Sequence, residues 1–155
     1  MTQHQDPRSA TNHIFGSNKV KLGVFSINGG GGAKTLVPER FKPTWPNSLD
    51  VAIQADRAGF EAIVPFSRWG SVVHPTHSSA FVFENFTWAS AISAVTQHST
   101  VMSTCQMTAA HPILAAKAMT TIDHVSGGRF AVNLVTGWNP ADRRMFGVSH
   151  LPRDE

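Results

Sequence analysis

The feature that most constrains the fold is a regular alternation of short apolar runs with segments of helical periodicity. Apolar runs of strand length cover residues 20–27, 61–66, 100–106 and 129–135. Apolar residues at the i, i+3, i+4 spacing of one helix face recur over residues 47–59, 84–97 and 112–124. The strand runs are apolar throughout instead of alternating, which is typical of parallel strands joined by crossover helices. The order therefore predicts an α/β fold with a parallel sheet, followed by a short helix after Pro140.

Two arrangements use this order of elements: an open doubly wound sheet and part of a (β/α)8 barrel. A doubly wound dinucleotide-binding fold would require Gly-x-Gly-x-x-Gly leading directly into a helix. Here the glycines at residues 29–32 precede a proline-rich loop, and the helix is expected only near Asn47, capped by Asn47 or Ser48. The dinucleotide fingerprint is absent, and a mobile active-site loop is the preferred interpretation of the glycines.

Charge and cysteine content exclude several classes of protein. The net charge is +3, from thirteen Lys and Arg against ten Asp and Glu, and these residues are scattered along the chain. Scattered charge argues against nucleic-acid binding, and no run approaches the roughly 18–20 apolar residues of a membrane span. The single Cys105 excludes an internal disulfide and suits a reducing compartment. We expect a soluble, cytoplasmic protein with a flexible polar arm over residues 1–18 and one domain over residues 19–155.

Polar side chains mark the end of the fourth predicted strand, where Asn133, Thr136 and Asn139 appear. Parallel α/β folds hold their ligands at the carboxyl ends of strands. Asn133 is accordingly a candidate ligand contact, although a residue that only serves loop backbone groups is an equal alternative. His111 at the end of the third strand is a helix cap or a substrate contact, and Cys105 belongs to the core. His74 and His77 have no third partner in view, so no metal site is expected.

The most specific stretch covers residues 121–139, with a Thr-Ile-Asp-x-x-Ser-Gly-Gly-Arg turn followed by Asn-Leu-Val-Thr-Gly. It resembles the fourth-strand segment of luciferase-like flavin-dependent monooxygenases, especially those acting on pyrimidines, dimethyl sulfone and alkanesulfonates. The likeness runs over residues 20–147. It implies a barrel enzyme that takes reduced FMN from a separate NAD(P)H-dependent reductase, adds oxygen to the flavin to give a peroxide, and oxygenates a small organic substrate.

Site residues follow from this resemblance position by position. Asn133 matches a flavin-contacting Asn, Ser67 and Arg68 match a flavin-contacting pair after the second strand, and Asp142 matches a nearby acidic position. A surface role without a ligand is the alternative for Arg68. No catalytic residue is assigned.

The resemblance also sets an expectation about extent, because a complete (β/α)8 barrel needs about 250 residues. The chain is expected to be a truncated or split enzyme comprising roughly the first four βα units. Open apolar edges on its first and fourth strands predict a homo-oligomer or a completing second chain, and the isolated chain is expected to bind FMN weakly and to oxidise it without coupling to product. The alternatives are a deazaflavin-dependent oxidoreductase of the same fold and a non-catalytic gene fragment.

Overall fold

The computed structural model describes residues 7–30, 37–70 and 81–148 of the 155-residue chain. Its strands are β1 (Gly23–Phe25), β2 (Ala62–Val64), β3 (Thr100–Gln106) and β4 (Phe130–Val135). Its α-helices are α1 (Trp45–Arg57), α2 (Asn85–Ser93), α3 (Pro112–Ser126) and α4 (Pro140–Met145). Every strand and helix predicted from the sequence is found, although β1, β2 and α2 are shorter than expected.

The four strands form one parallel sheet in the order β1-β2-β3-β4. Neighbouring strands are therefore consecutive in the chain, as the barrel interpretation requires. An open doubly wound sheet would instead reverse its strand order at a switch point. The predicted parallel order is confirmed, and the described part of the chain is a four-stranded segment of the (β/α)8 type.

The three long helices cover one face of this sheet. The register aligns Val24 with Ile63, Ile63 with Val101, and Val101 with Phe130, so this row of side chains points to one side. Ile63 and Val101 are fully buried in a cluster that contains residues of α1, α2 and α3, namely Ala52, Trp88, Ala89, Ile92 and Ile122. The prediction of helices on a single face is confirmed, and the opposite face remains available for a site.

Helix α1 begins earlier than predicted. The cap is Thr44, whose hydroxyl accepts a hydrogen bond from the Asn47 backbone amide at 3.4 Å, and neither Asn47 nor Ser48 occupies that position. The reason is Pro46, which the sequence pattern predicts to belong to the proline-rich loop before the helix. In the first turn of a helix a proline is favourable, because its missing N–H would have no partner there and its φ is already helical. After the helix, Gly59 adopts φ +83°, as expected of a residue that ends it.

The described part of the N-terminal segment is folded against the sheet. It forms two short 3-10 turns at Pro7–Ala10 and His13–Phe15. Asn12 is buried, and its side-chain oxygen accepts a hydrogen bond from the Thr100 hydroxyl at the start of β3. Asn18 donates to the Glu61 carboxylate at 2.9 Å. The flexibility of residues 1–18 stays a prediction.

The described residues leave out two features of the sequence. His74 and His77, and half of the glycine run, lie outside the described residues. In the part of the chain that the structure describes, no helix has the length and apolar character needed to cross a membrane.

Candidate ligand-binding cleft at the carboxyl ends of the strands

A cleft of about 270 Å³ opens where the four strands end. Its walls come from β1, β3 and β4 and from the segments that follow β2 and β4: Phe25, Phe66, Ser67, Arg68, Thr104, Gln106, Asn133, Val135, Gly137 and Trp138. In the register, Thr104 is opposite Asn133 and Gln106 opposite Val135, one position out of phase with the buried row that faces the helices. The cleft therefore uses the face of the sheet that the helices leave uncovered.

Three of the four predicted site residues meet in this cleft. Ser67 and Arg68 follow β2, Asn133 lies within β4, and all three line the same cavity. They converge because the carboxyl ends of parallel strands lie at one edge of the sheet. That these residues contact a cofactor stays a prediction.

Asn133 is held by a hydrogen-bond chain that crosses three strands. Its side-chain nitrogen donates to the Thr104 hydroxyl at 3.3 Å, and that hydroxyl donates to the Pro65 carbonyl beyond β2. Thr104 is 7% exposed, so its hydroxyl needs these partners. The arrangement orients the Asn133 amide at the cleft wall and leaves its carbonyl oxygen to accept a further hydrogen bond.

Asp142 lies behind the cleft wall. It is 1% exposed and is absent from the lining residues. Its carboxylate accepts hydrogen bonds from the backbone amides of Trp69 at 3.1 Å and Gly70 at 2.7 Å, from the Asn139 side chain at 2.8 Å and from the Gln106 side chain at 2.9 Å. Oδ1 accepts three of these hydrogen bonds and Oδ2 accepts the one from Gln106, so both oxygens of the buried carboxylate are paired. The geometry supports a positioning role for Asp142, and it does not support the predicted direct contact with a cofactor.

Gln106 is a lining residue that the sequence analysis missed. It ends β3, is 7% exposed, and its side chain bridges Asp142 and the backbone carbonyl of Ser67. A signal was present in the sequence, because a polar residue at the carboxyl end of a mainly apolar strand marks the ligand side of such folds. Gln106 is nevertheless not among the predicted site residues.

Asn28, also missed, fixes the loop after β2 from the β1 side. It is fully buried, donates to the Phe66 carbonyl at 2.8 Å and accepts from the Phe66 amide at 3.1 Å. The Asn28 side chain thus pairs with both the N–H and the C=O of Phe66, as a neighbouring strand would do. The position of Phe66, and with it that of Ser67, therefore depends on Asn28.

The remaining surface of the cleft is aromatic and weakly cationic. Phe25 is 61% exposed and Trp138 is 72% exposed at the mouth. Arg68 is the charged member of the lining residues, and its guanidinium carbon lies 5.3 Å from the centre of the Phe66 ring. Such a surface suits a flat, electron-rich ligand with a polar edge.

Two other candidates have no place in the cleft. His111 is the cap residue of α3, makes no side-chain capping hydrogen bond, and does not line the cavity. Cys105 is buried on the helix side of β3, where burial raises the pKa of its thiol, so its assignment to the core is confirmed. Among the described residues, no group of three metal-binding side chains occurs.

Comparisons with known proteins give this geometry a context. The family model described as luciferase-like monooxygenase matches residues 20–155. A pyrimidine monooxygenase from Bradyrhizobium sp. (strain BTAi1) is 28% identical over 128 residues, which are 82% of this chain and 36% of that protein. The chain thus spans about a third of the length of the curated relatives it matches.

Solved structures show the same fold. An EDTA monooxygenase from Chelativorans sp. BNC1 superposes with a TM-score of 0.76 at 20% identity, over 88% of this chain and 33% of that one. A riboflavin lyase, solved with modified FMN and riboflavin, superposes with a TM-score of 0.73 at 22% identity, over 88% of this chain and 34% of that one. At these identities, the likeness establishes the architecture in which the cleft is built.

Proposed function

The chain belongs to the luciferase-like monooxygenase family, and from this membership we propose that its cleft binds reduced FMN and serves the oxygenation of a small organic substrate. The flavin would be supplied by a separate NAD(P)H-dependent reductase. The observation that supports the proposal most directly is the meeting of Ser67, Arg68 and Asn133 on one cleft wall. When bound, the flavin supplies the redox chemistry, while the protein binds, orients and shields it.

The residues of the cleft fit the ring system of a flavin. Phe25, Phe66 and Trp138 provide apolar aromatic surface for a flat tricyclic ring. Asn133 and the Ser67–Arg68 loop provide the few polar groups that fix orientation in small-molecule sites. The cleft volume of about 270 Å³ is near the lower end of the ~300–1,000 Å³ typical of such sites. This space suits the ring system alone, so the phosphate and the substrate need other contacts.

Asp142 and Asn28 would act by holding the wall in place. Asp142 fixes the backbone at residues 69–70, and Asn28 fixes the backbone at Phe66. Together they hold both ends of the segment that contains Ser67 and Arg68. A preformed segment costs less entropy on binding than one that must be ordered by its ligand.

The proposal is tested by titrating the 155-residue chain with FMN, oxidised and reduced, and following flavin absorbance and fluorescence. We expect saturable binding that Arg68→Ala weakens about tenfold or more, since a hydrogen bond involving a charged group contributes about 1.5–3 kcal/mol. Arg144→Ala is the matched control, because Arg144 is exposed on α4 and does not line the cleft.

Two outcomes would contradict the proposal. The absence of saturable FMN binding would overturn the flavin assignment altogether. Binding of a reduced deazaflavin in preference to reduced FMN would replace the cofactor while leaving the location of the site unchanged.

A further inference from the structure

We propose that Gln106 presents a fixed hydrogen-bond acceptor to the imide N–H of the flavin ring, so that it selects ligands with a donor at that position. The inference rests on the proposed flavin function. It adds a specificity-determining residue whose role depends on the orientation of a single side-chain amide.

The nitrogen of the Gln106 side-chain amide faces two acceptors. Nε2 donates to Asp142 Oδ2 at 2.9 Å and faces the Ser67 carbonyl oxygen at 3.4 Å. Both partners are acceptors only. A side chain turned by 180° would place Oε1 against two oxygens, which is repulsive. The hydrogen-bond partners therefore decide the orientation of the amide, which is the accepted basis for distinguishing its oxygen from its nitrogen.

The buried carboxylate of Asp142 keeps this amide in one orientation. The other oxygen of Asp142 accepts from the amides of Trp69 and Gly70 and from the side chain of Asn139. A carboxylate with three further donors in a buried position cannot rotate without breaking them. Gln106 consequently cannot exchange its donor and acceptor to suit a ligand.

The oxygen of the Gln106 amide lies beside Gly137 at the cleft wall. Oε1 lies 3.3 Å from the point where a Cβ atom on Gly137 would be, and Gly137 lines the same cleft. Within the described residues no hydrogen-bond donor is found for Oε1, and it is not one of the fully buried atoms that lack a partner. Gly137 has φ +78°, so a glycine is favoured there on backbone grounds as well. Oε1 is therefore an available acceptor at the cleft wall.

The flavin ring has a hydrogen-bond donor that complements the Gln106 oxygen. The imide N–H between the two carbonyl groups is a donor in both oxidised and reduced FMN, and in the oxidised ring it is the single N–H, beside carbonyl oxygens and ring nitrogens N1 and N5 that only accept. A fixed acceptor in the wall can pair with this imide group and repels the remaining polar edge. A ligand without this donor would cover the Gln106 oxygen and leave it unpaired. The resulting loss of binding free energy disfavours such a ligand.

The experiment combines a change in the protein with a change in the ligand. Oxidised FMN and N3-methyl FMN are titrated against the unsubstituted chain, Gln106→Met and the control Gln97→Met, an exposed residue outside the cleft. We expect Gln106→Met to weaken FMN binding about fivefold to tenfold and to remove the preference for FMN over its N3-methyl form. Gln97→Met should preserve both, and thermal unfolding of each variant verifies its folding.

The outcomes separate this inference from the function on which it rests. If the unsubstituted chain binds FMN and N3-methyl FMN equally well, the inference is wrong and the flavin function stands; this comparison needs no variant. The same conclusion follows if Gln106→Met retains the full preference for FMN. If the unsubstituted chain binds neither flavin, the proposed function fails, and this inference fails with it.

Discussion

The side-chain nitrogen of Asn133 on β4 lies 3.3 Å from the hydroxyl oxygen of Thr104, its direct neighbour on β3, and donates a hydrogen bond to it. Both side chains are on the cleft face of the sheet. The contact connects the most specific motif of the sequence to the adjacent strand. It uses the side-chain nitrogen of Asn133, so the side-chain oxygen Oδ1 can accept a hydrogen bond from a ligand.

Replacing Asn133 by Ala should weaken FMN binding about fivefold to tenfold, because one oriented hydrogen bond is lost. The free energy of unfolding should fall by no more than about 1 kcal/mol, since the Thr104 hydroxyl loses one partner but keeps its hydrogen bond to the Pro65 carbonyl. Flavin titration and urea unfolding measure the two quantities. Leu134→Ala is the control, because Leu134 is next in sequence and points to the other face. Equal binding by Asn133→Ala and the unsubstituted chain would show that Asn133 has no role in flavin binding.

The buried pair of Trp88 and Ser48 should be coupled energetically. The Trp88 indole nitrogen donates to the Ser48 hydroxyl at 2.8 Å, and both side chains are almost completely buried between α2 and α1. Trp88→Phe and Ser48→Ala should each lower the free energy of unfolding by about 1–3 kcal/mol, because each leaves one buried polar group unpaired.

The double variant Trp88→Phe/Ser48→Ala should lower the free energy of unfolding by less than the sum of the two single changes. In the double variant neither polar group remains buried without its partner. Urea unfolding of the four proteins gives the coupling. Trp45→Phe serves as a control, because Trp45 is 38% exposed. Strict additivity would mean that the hydrogen bond contributes nothing to stability.

Arg129→Lys should lower the free energy of unfolding by about 2–4 kcal/mol. Arg129 is 8% exposed, and its guanidinium donates to the backbone carbonyls of Ser93, Thr96 and Ser99 at 2.7–3.2 Å. These carbonyls lie at and after the end of α2, where the helix itself has no donors for them. An ammonium group cannot reproduce the planar fork that reaches all three. Thermal unfolding measures the loss, and Arg144→Lys on the surface of α4 should stay within about 0.5 kcal/mol; similar small effects at both sites would refute the expected role.

Stability should also fall as the pH decreases through the range in which His13 titrates. The His13 and His98 rings stack with their centroids 4.0 Å apart. Burial lowers the pKa of His13 from its ordinary value of 6.5, and the nearby charges of His98 and Arg129 lower it further. Lys21 acts in the same direction, whereas Glu61 opposes the shift.

A histidine with a lowered pKa in the folded state binds its proton more readily when the chain is unfolded. The His13 contribution to stability is thus fully present above pH 6.5 and is lost as the pH falls from 6.5 towards the lower folded-state value. His13→Asn should flatten this part of the stability profile, whereas His124→Gln, an exposed control, should not. Unfolding measured from pH 8 to pH 5 is the test, and an unchanged slope in His13→Asn would contradict it.

Loss of the Glu61 contribution should occur in a separate, more acidic range. Hydrogen bonds from Asn18 and from the Leu22 amide lower the pKa of Glu61 to about 2, from an ordinary value of 4.5. Its stabilising contribution is therefore present above pH 4.5 and is lost as the pH falls towards 2. Asn18→Ala should raise the Glu61 pKa in an NMR titration, and an unchanged value would show that Asn18 does not hold the carboxylate.

The local elements were predictable because their signals are local. Periodic apolar residues and a following glycine define α3, and Gly127 adopts the left-handed conformation that such an ending requires. Strand composition also predicted that the strands are parallel, and the most specific motif contains Asn133, which lines the cleft. Each of these conclusions depends on residues within a few positions of one another.

Only the tertiary structure decided which side chains far apart in the chain meet. Asp142 contacts Gln106 across 36 positions and Trp69 across 73, and these contacts bury it behind the wall instead of exposing it to a ligand. The burial of Asn12 against Thr100, 88 positions away, was likewise invisible in a segment that looks polar and aperiodic. Periodicity reports which face of an element is apolar, and it contains no information on which polar partners the neighbouring elements bring to that face. The choice between contacting a ligand and holding another residue in place is made by those partners, because a buried polar group must be paired wherever the fold places it.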